Sequence, residues 1–236
     1  MTVDTRAART AGLLYLLTFV ASIAALPLLS PVLQDPRFVL TQQPSAGVVA
    51  GCLLDLVNAA ACVGTAVVLY PLLRGRSPSA ALGFVTSRVL EAAIIATGVI
   101  CLLAVVTLQH SDSDDIARVA LAEGLVAVRN WTFLLGPGLM PAVNALLLGT
   151  ALLHSALVPR GIPLLGLIGA PLQLISVIGT LFGLNDQVSV WSAIAVLPIF
   201  MWELALGLWL TFRGPAEHTR WPRSARDASV SPLTKR

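Results

Sequence analysis

Six runs of predominantly apolar residues, each about 20 residues or longer, dominate this chain. A hydrocarbon layer about 30 Å thick is crossed by about 20 helical residues. Within it, backbone N–H and C=O groups find no water and must bond inside their own segment. A run of that length therefore has few alternatives to a transmembrane helix. The runs cover residues 10–29, 47–73, 80–108, 131–153, 162–184 and 190–212. The expected fold is all-α, a polytopic bundle of six transmembrane helices in residues 1–212. A basic, disordered cytoplasmic tail is expected over residues 213–236. Composition points the same way, because 11% of the residues are charged where a soluble domain carries about 25%.

Arg6 and Arg9 precede the first run, as in a signal peptide. The run exceeds the roughly 7–15 residues of a signal core, so it reads as a retained first helix. Pro31, Pro36 and Pro44 then mark an exposed loop. The stretch Ser111-Asp112-Ser113-Asp114-Asp115 reads as a helix start, with side-chain oxygens and negative charge over free N–H groups. Behind it, Ile116, Val119, Ala120 and Ala127 share one face and Arg118 lies off it. This segment is expected to rest in the membrane interface before the fourth span descends. Gly136-Pro137-Gly138 and Pro141 are expected to kink or loosen the beginning of that span.

Orientation follows from the basic residues near the span ends. Arg6, Arg9, Arg74, Arg76, Arg160 and six residues of the tail make eleven on the N-terminal side. Arg37, Arg118 and Arg129 make three on the other. Both termini are therefore expected in the cytoplasm of a cell with a multi-pass protein in its membrane. Trp131 and Trp191 are expected at the opposite interface, where indole rings settle. The net charge of +3 comes from 14 Arg and one Lys. These arginines flank apolar spans rather than forming one face, which argues against nucleic acid as a partner. Their preference over lysine fits a GC-rich bacterial genome.

Asp55, Arg88, Glu91 and Glu203 fall at middle depth in their runs. A charge facing lipid there costs at least about 2.5–3.5 kcal/mol, so these side chains are expected to face inward and meet. Arg88 and Glu91 are three apart and share a helix face. Arg88 is expected to pair with at least one of Asp55, Glu91 and Glu203. Three carboxylates around one guanidinium leave a charge of −2, so at least one acid is expected to be neutral or matched by a cation. Gly51, Asp55, Asn58, Cys62 and Thr65 draw a stripe along the second run. Gly169, Gln173, Ser176 and Thr180 draw one along the fifth, and Asn144 is near mid-depth in the fourth.

Small and amide residues so placed serve as interhelical contacts. The candidate intramembrane polar site is Asp55, Asn58, Arg88, Glu91, Asn144, Gln173 and Glu203. Cys52, Cys62 and Cys101 lie inside apolar runs as small hydrophobes. No metal or cofactor is expected, and the motifs of zinc, phosphate-loop and dinucleotide sites are missing. His154 reads as a polar helix-end residue near the headgroups.

Four stretches together resemble a known family: Ala8-Arg-Thr-Ala-Gly-Leu-Leu-Tyr15, Arg88-Val-Leu-Glu-Ala92, Val158-Pro-Arg-Gly-Ile-Pro-Leu-Leu-Gly-Leu-Ile-Gly169 and Glu203-Leu-Ala-Leu-Gly-Leu-Trp-Leu210. Their order and spacing resemble the bacterial integral-membrane family of domain of unknown function 4386, over roughly residues 6 to 214. The resemblance implies a multi-span architecture and carries no activity.

Three functions stay open at this stage. The leading one is a membrane protein whose interior polar site handles a small molecule, lipid or ion. The others are an intramembrane enzyme on a lipid or isoprenoid, with Glu91 or Glu203 as acid or base, and a structural or regulatory subunit. The expected partners are the lipid bilayer and a lipid or small-molecule ligand. A pocket reaching Glu91 and Glu203 separates the first two from the third.

Overall fold

The computed structural model describes residues 3–41, 44–155 and 157–215, and these are helical with no strand among them. Helix α1 is Val3–Gln34, followed by a 3-10 turn at Pro36–Leu40 whose cap is Asp35, accepting from the Arg37 amide at 2.9 Å. Next come α2 (Ala46–Leu73), α3 (Pro78–Leu108) and α4 (Asp115–Phe133). A π turn at Leu134–Leu139 leads into α5 (Met140–Ser155). The chain ends on α6 (Gly161–Leu181) and α7 (Val190–Phe212). Six elements are long and apolar enough to cross a membrane, with α4, the π turn and α5 forming one of 41 residues.

Successive helices pack side by side, and α7 returns to pack on α1, so the elements form a closed ring. Both described ends of the chain lie on one face of it, called here the terminal face. The opposite, distal face carries the 3-10 turn and the start of α4. The closure is tight near the terminal face. A Cβ placed on Gly12 of α1 would stand 2.5 Å from the Thr211 backbone nitrogen of α7, so only glycine fits there. The buried apolar residues divide into two cores. One fills the terminal half around Tyr15, Leu69, Phe84, Leu148, Trp202 and Leu206. The other fills the distal end around Leu29, Phe38, Val39, Leu102 and Val126.

Three expectations about the chain's course are corrected. Pro31 does not end the first span, since Pro27 and Pro31 both lie inside α1. Neighbouring helices and local adjustment re-satisfy backbone groups that proline frees in such bundles. The following turn is not an exposed loop, because Phe38 and Val39 are buried. They are the apolar plug of the distal core.

The third correction concerns α4. It does not end before a separate fourth span but continues into α5 through the π turn, so Trp131 stands in mid-element rather than at a span's beginning. The face carrying Ile116, Ala120 and Ala127 is exposed, and the buried stripe is Ala122, Val126 and Arg129. Arg118 continues that stripe one turn toward the distal end. Its guanidinium bonds the carbonyls of Leu108, Val39 and Gln109 at 3.0, 2.8 and 2.9 Å, fastening the 3-10 turn to α3 and α4. Gln109 adds a bond to the Phe38 carbonyl at 3.2 Å. Of the expected tail, residues 216–236 lie outside the described residues.

Candidate functional site

The intramembrane polar residues separate into two groups at different depths. At 1.5 Å per residue, Arg88 stands about 15 Å along α3 from its Pro78 end, and Glu203 about 14 Å along α7 from its Phe212 end. Both ends belong to the terminal face. Asp55 stands about 14 Å from the Ala46 end of α2, which belongs to the distal face.

In the terminal half, Arg88 is the hub. It donates to Glu91 at 3.1 Å and to Glu203 at 2.9 Å. It also approaches the Cys62 sulfur at 3.5 Å. Its guanidinium carbon lies 5.0 Å from the centre of the Tyr15 ring and 5.6 Å from that of Phe84, both within cation–π range. Asn144 of α5 donates to Glu91 at 2.8 Å and accepts a short bond from the Ser87 hydroxyl. Five helices are thus joined through one guanidinium and one amide. Arg88, Glu91 and Asn144 are all buried. No lining residue of the cavity described next belongs to this cluster.

In the distal half, Asp55 pairs with Arg129 of α4 at 3.6 Å. That separation is an ion pair but too long for a good hydrogen bond. Arg129 lies 4.9 Å over the Phe133 ring. Among the described residues its guanidinium donates no hydrogen bond. Asn58 holds only a weak contact from the Cys62 thiol, at 3.9 Å. These three side chains form the polar wall of a cavity of about 410 Å³. The rest of the lining is apolar apart from Ser22 and Thr132, whose hydroxyls donate to the Phe19 and Arg129 carbonyls, and Ile23 and Leu26 of α1 line it together with Val196 of α7. Those three are also exposed at the bundle's surface, so the cavity opens sideways between α1 and α7. Its floor includes Phe19 and Phe200, packed edge to face with centroids 5.0 Å apart. They sit about one turn from Tyr15 and Glu203, and so separate the cavity from the Arg88 cluster.

The expected single site is therefore corrected in membership. Arg88 meets Glu91, Glu203 and Asn144, while Asp55 and Asn58 belong to the cavity. Gln173 joins neither group and donates to the Gly138 carbonyl at 2.8 Å, beside the π turn. Arg129 was counted at the distal exterior, and it is instead an interior charge. With it, two guanidiniums face three carboxylates, leaving −1 rather than −2, and the flanking basic residues stand at eleven against two. Gly98 of α3 makes the room, since a Cβ there would stand 2.6 Å from the Thr132 Oγ1 and 3.0 Å from the Arg129 side chain. The signal for Arg129 was its seven-residue spacing from Ala122, which places it on the buried stripe once the segment is read as one helix.

Residues 10–214 match the family described as a domain of unknown function, DUF4386. The chain belongs to the DUF4386 family. No curated protein and no solved structure matches it. The stretches that carry the DUF4386 resemblance meet in space: Tyr15 comes from the first, Arg88 and Glu91 from the second, and Glu203 from the last. The third stretch contributes Gly166, whose missing side chain leaves room for the Trp202 indole beside Glu203.

Proposed function

We propose that this DUF4386 protein is a multi-pass protein of a cell membrane that binds a small amphiphile in the distal-half cavity, reached sideways from the bilayer. The observation that carries this reading is the Arg129–Asp55 pair, 3.6 Å apart on the wall of a 410 Å³ cavity with an apolar mouth. Ligand sites are concave, mostly apolar and marked by a few polar groups that orient the ligand. Ionisable groups inside a membrane bundle mark such pathways. The Arg88 cluster supports a different role, that of fixing five helices. An intramembrane enzyme using Glu91 or Glu203 is less well supported, because neither lines the cavity.

The eleven-to-two bias of basic residues supports a cytoplasmic location for both termini. The cavity then belongs to the outer half of the membrane. Mass spectrometry of the full chain, released intact from native membranes, tests the binding. A retained amphiphile is expected with the wild type and not with Leu26→Trp, which fills the mouth. Equal retention by both would overturn the reading. Reporter fusions after Arg76 and after Arg213 should read cytoplasmic, and one at Asp112 external.

A further inference from the structure

The unused hydrogen-bonding capacity of the cavity wall says what kind of head it takes. A guanidinium carries five N–H donors and a side-chain amide two. Among the described residues, none of those on Arg129 or Asn58 has an acceptor at hydrogen-bonding distance. The carboxylate of Asp55 is the counter-charge, and the wall as a whole is neutral. Those donor atoms of Arg129 and Asn58 are not among the fully buried unpartnered groups of the described residues, so they are open to the cavity and to whatever fills it. An occupant should therefore supply acceptors, and it need not supply charge.

The route excludes charge as well. Ile23, Leu26 and Val196 at the mouth offer an ion nothing to replace its hydration. The distal side is stoppered by Phe38 and Val39, which the Arg118 bonds hold in place. A permanent anion would also stand beside Asp55, and a permanent cation beside Arg129.

From this census we infer that the ligand is a single-chain amphiphile with an uncharged, acceptor-rich head bearing hydroxyl or carbonyl oxygens. This rests on the binding reading above. The head accepts from Arg129 and Asn58, and any hydroxyl proton is donated to Asp55. The chain runs past Leu26 and Val196 between α1 and α7 into the bilayer. About 14 waters' worth of liquid volume would fill the cavity, enough for a head and the first part of a chain, with the remainder left in lipid.

The test uses the full chain in lipid nanodiscs and three probes of equal chain length: a monoacylglycerol, the fatty acid carboxylate and an alkyltrimethylammonium. The monoacylglycerol is expected to bind about tenfold more tightly than either ion, the equivalent of one charge-assisted hydrogen bond. Asn58→Leu is expected to lose about that factor for the monoacylglycerol and little for the ions. A circular-dichroism melt confirms that this variant is folded, and Arg129→Lys, which keeps the charge, gives a second measure. Tighter binding of the carboxylate or of the ammonium overturns the neutral-head assignment while leaving the cavity a binding site. Binding of no probe that Leu26→Trp blocks, with only water in the cavity, overturns both.

Discussion

The two charged groups use similar chemistry to opposite ends. Around Arg88, the guanidinium reaches two carboxylates at 3.1 and 2.9 Å, two rings cover its faces, and an amide also donates to Glu91, while the Arg88 Nε has no partner among the described residues. Around Arg129, one carboxylate stands at 3.6 Å, one ring covers it, and the remaining donors face a cavity. A buried guanidinium bonded to carboxylates on two helices holds a structure in one arrangement, even with its Nε unpartnered. A buried guanidinium with no carboxylate at hydrogen-bonding distance, beside an open space, holds capacity for something else. What distinguishes the two sites is therefore the closeness of the carboxylates and the adjoining space rather than the presence of charge.

The sharpest way to break this comparison is to remove each hub. Arg88→Leu leaves Glu91 and Glu203 buried without a counter-charge, and removing one partner of a buried ion pair costs about 3–5 kcal/mol. The folded yield in detergent and the midpoint of thermal unfolding should fall accordingly. A near-normal midpoint would mean that the cluster is less completely bonded than its geometry indicates.

Gly98→Ala tests the room made for the second hub. The new methyl meets the Thr132 hydroxyl and the Arg129 stem, and overpacking of this kind costs about 1–3 kcal/mol. The same melt measures it, and the cavity should lose ligand with it. Arg129→Gln strands one carboxylate that still faces the cavity, so it should destabilise less than Arg88→Leu, which strands two, while abolishing retention of the amphiphile. If Arg129→Gln unfolds the protein as fully as Arg88→Leu, the contrast between the two hubs is wrong. Smallest of all is Leu26→Trp, at an exposed position and expected within about 0.5 kcal/mol of wild type. Its effect should be confined to occupancy, read by mass spectrometry of the intact protein.

How much of this was legible depended on the range of the contact. The Arg88–Glu91 pair is local, three residues apart on one helix, and helical periodicity alone brings it together. Arg88–Glu203 spans most of the chain, yet the penalty for an unpaired charge in lipid predicts some such partner. Arg88 pairs with two of its three expected carboxylates, and the partner of the third, Asp55, was not foreseen for a physical reason. That partner, Arg129, lies in a segment where Gly136, Pro137, Gly138 and Pro141 are the residues that ordinarily break helices. Packing against α3 and α6, with Gln173 donating to the Gly138 carbonyl, accompanies the helix running through them. Local propensity carries no trace of that support. The same override kept Pro31 inside α1. The cavity itself was not legible, because a void is the residue of how whole helices splay.

The π turn has a further consequence for how this architecture can change. Each residue of an α-helix advances the side-chain direction by about 100°. Leu134–Leu139 carries one residue more than an α-helical turn would, between Arg129 on one side and Asn144 on the other. Those two side chains are anchored to different hubs, and the wide turn absorbs the extra residue so that both keep their directions. Deleting one residue here would close the wide turn to an α-helical one and leave α4 and α5 in their present phase. Deleting a residue from the regular helix on either side would instead swing α5 by about 100° relative to α4. Asn144 would then leave Glu91, or Arg129 would leave Asp55, but the two could not both stay. The π turn is thus the one stretch of this element where a single-residue deletion is silent at both depths of the bundle.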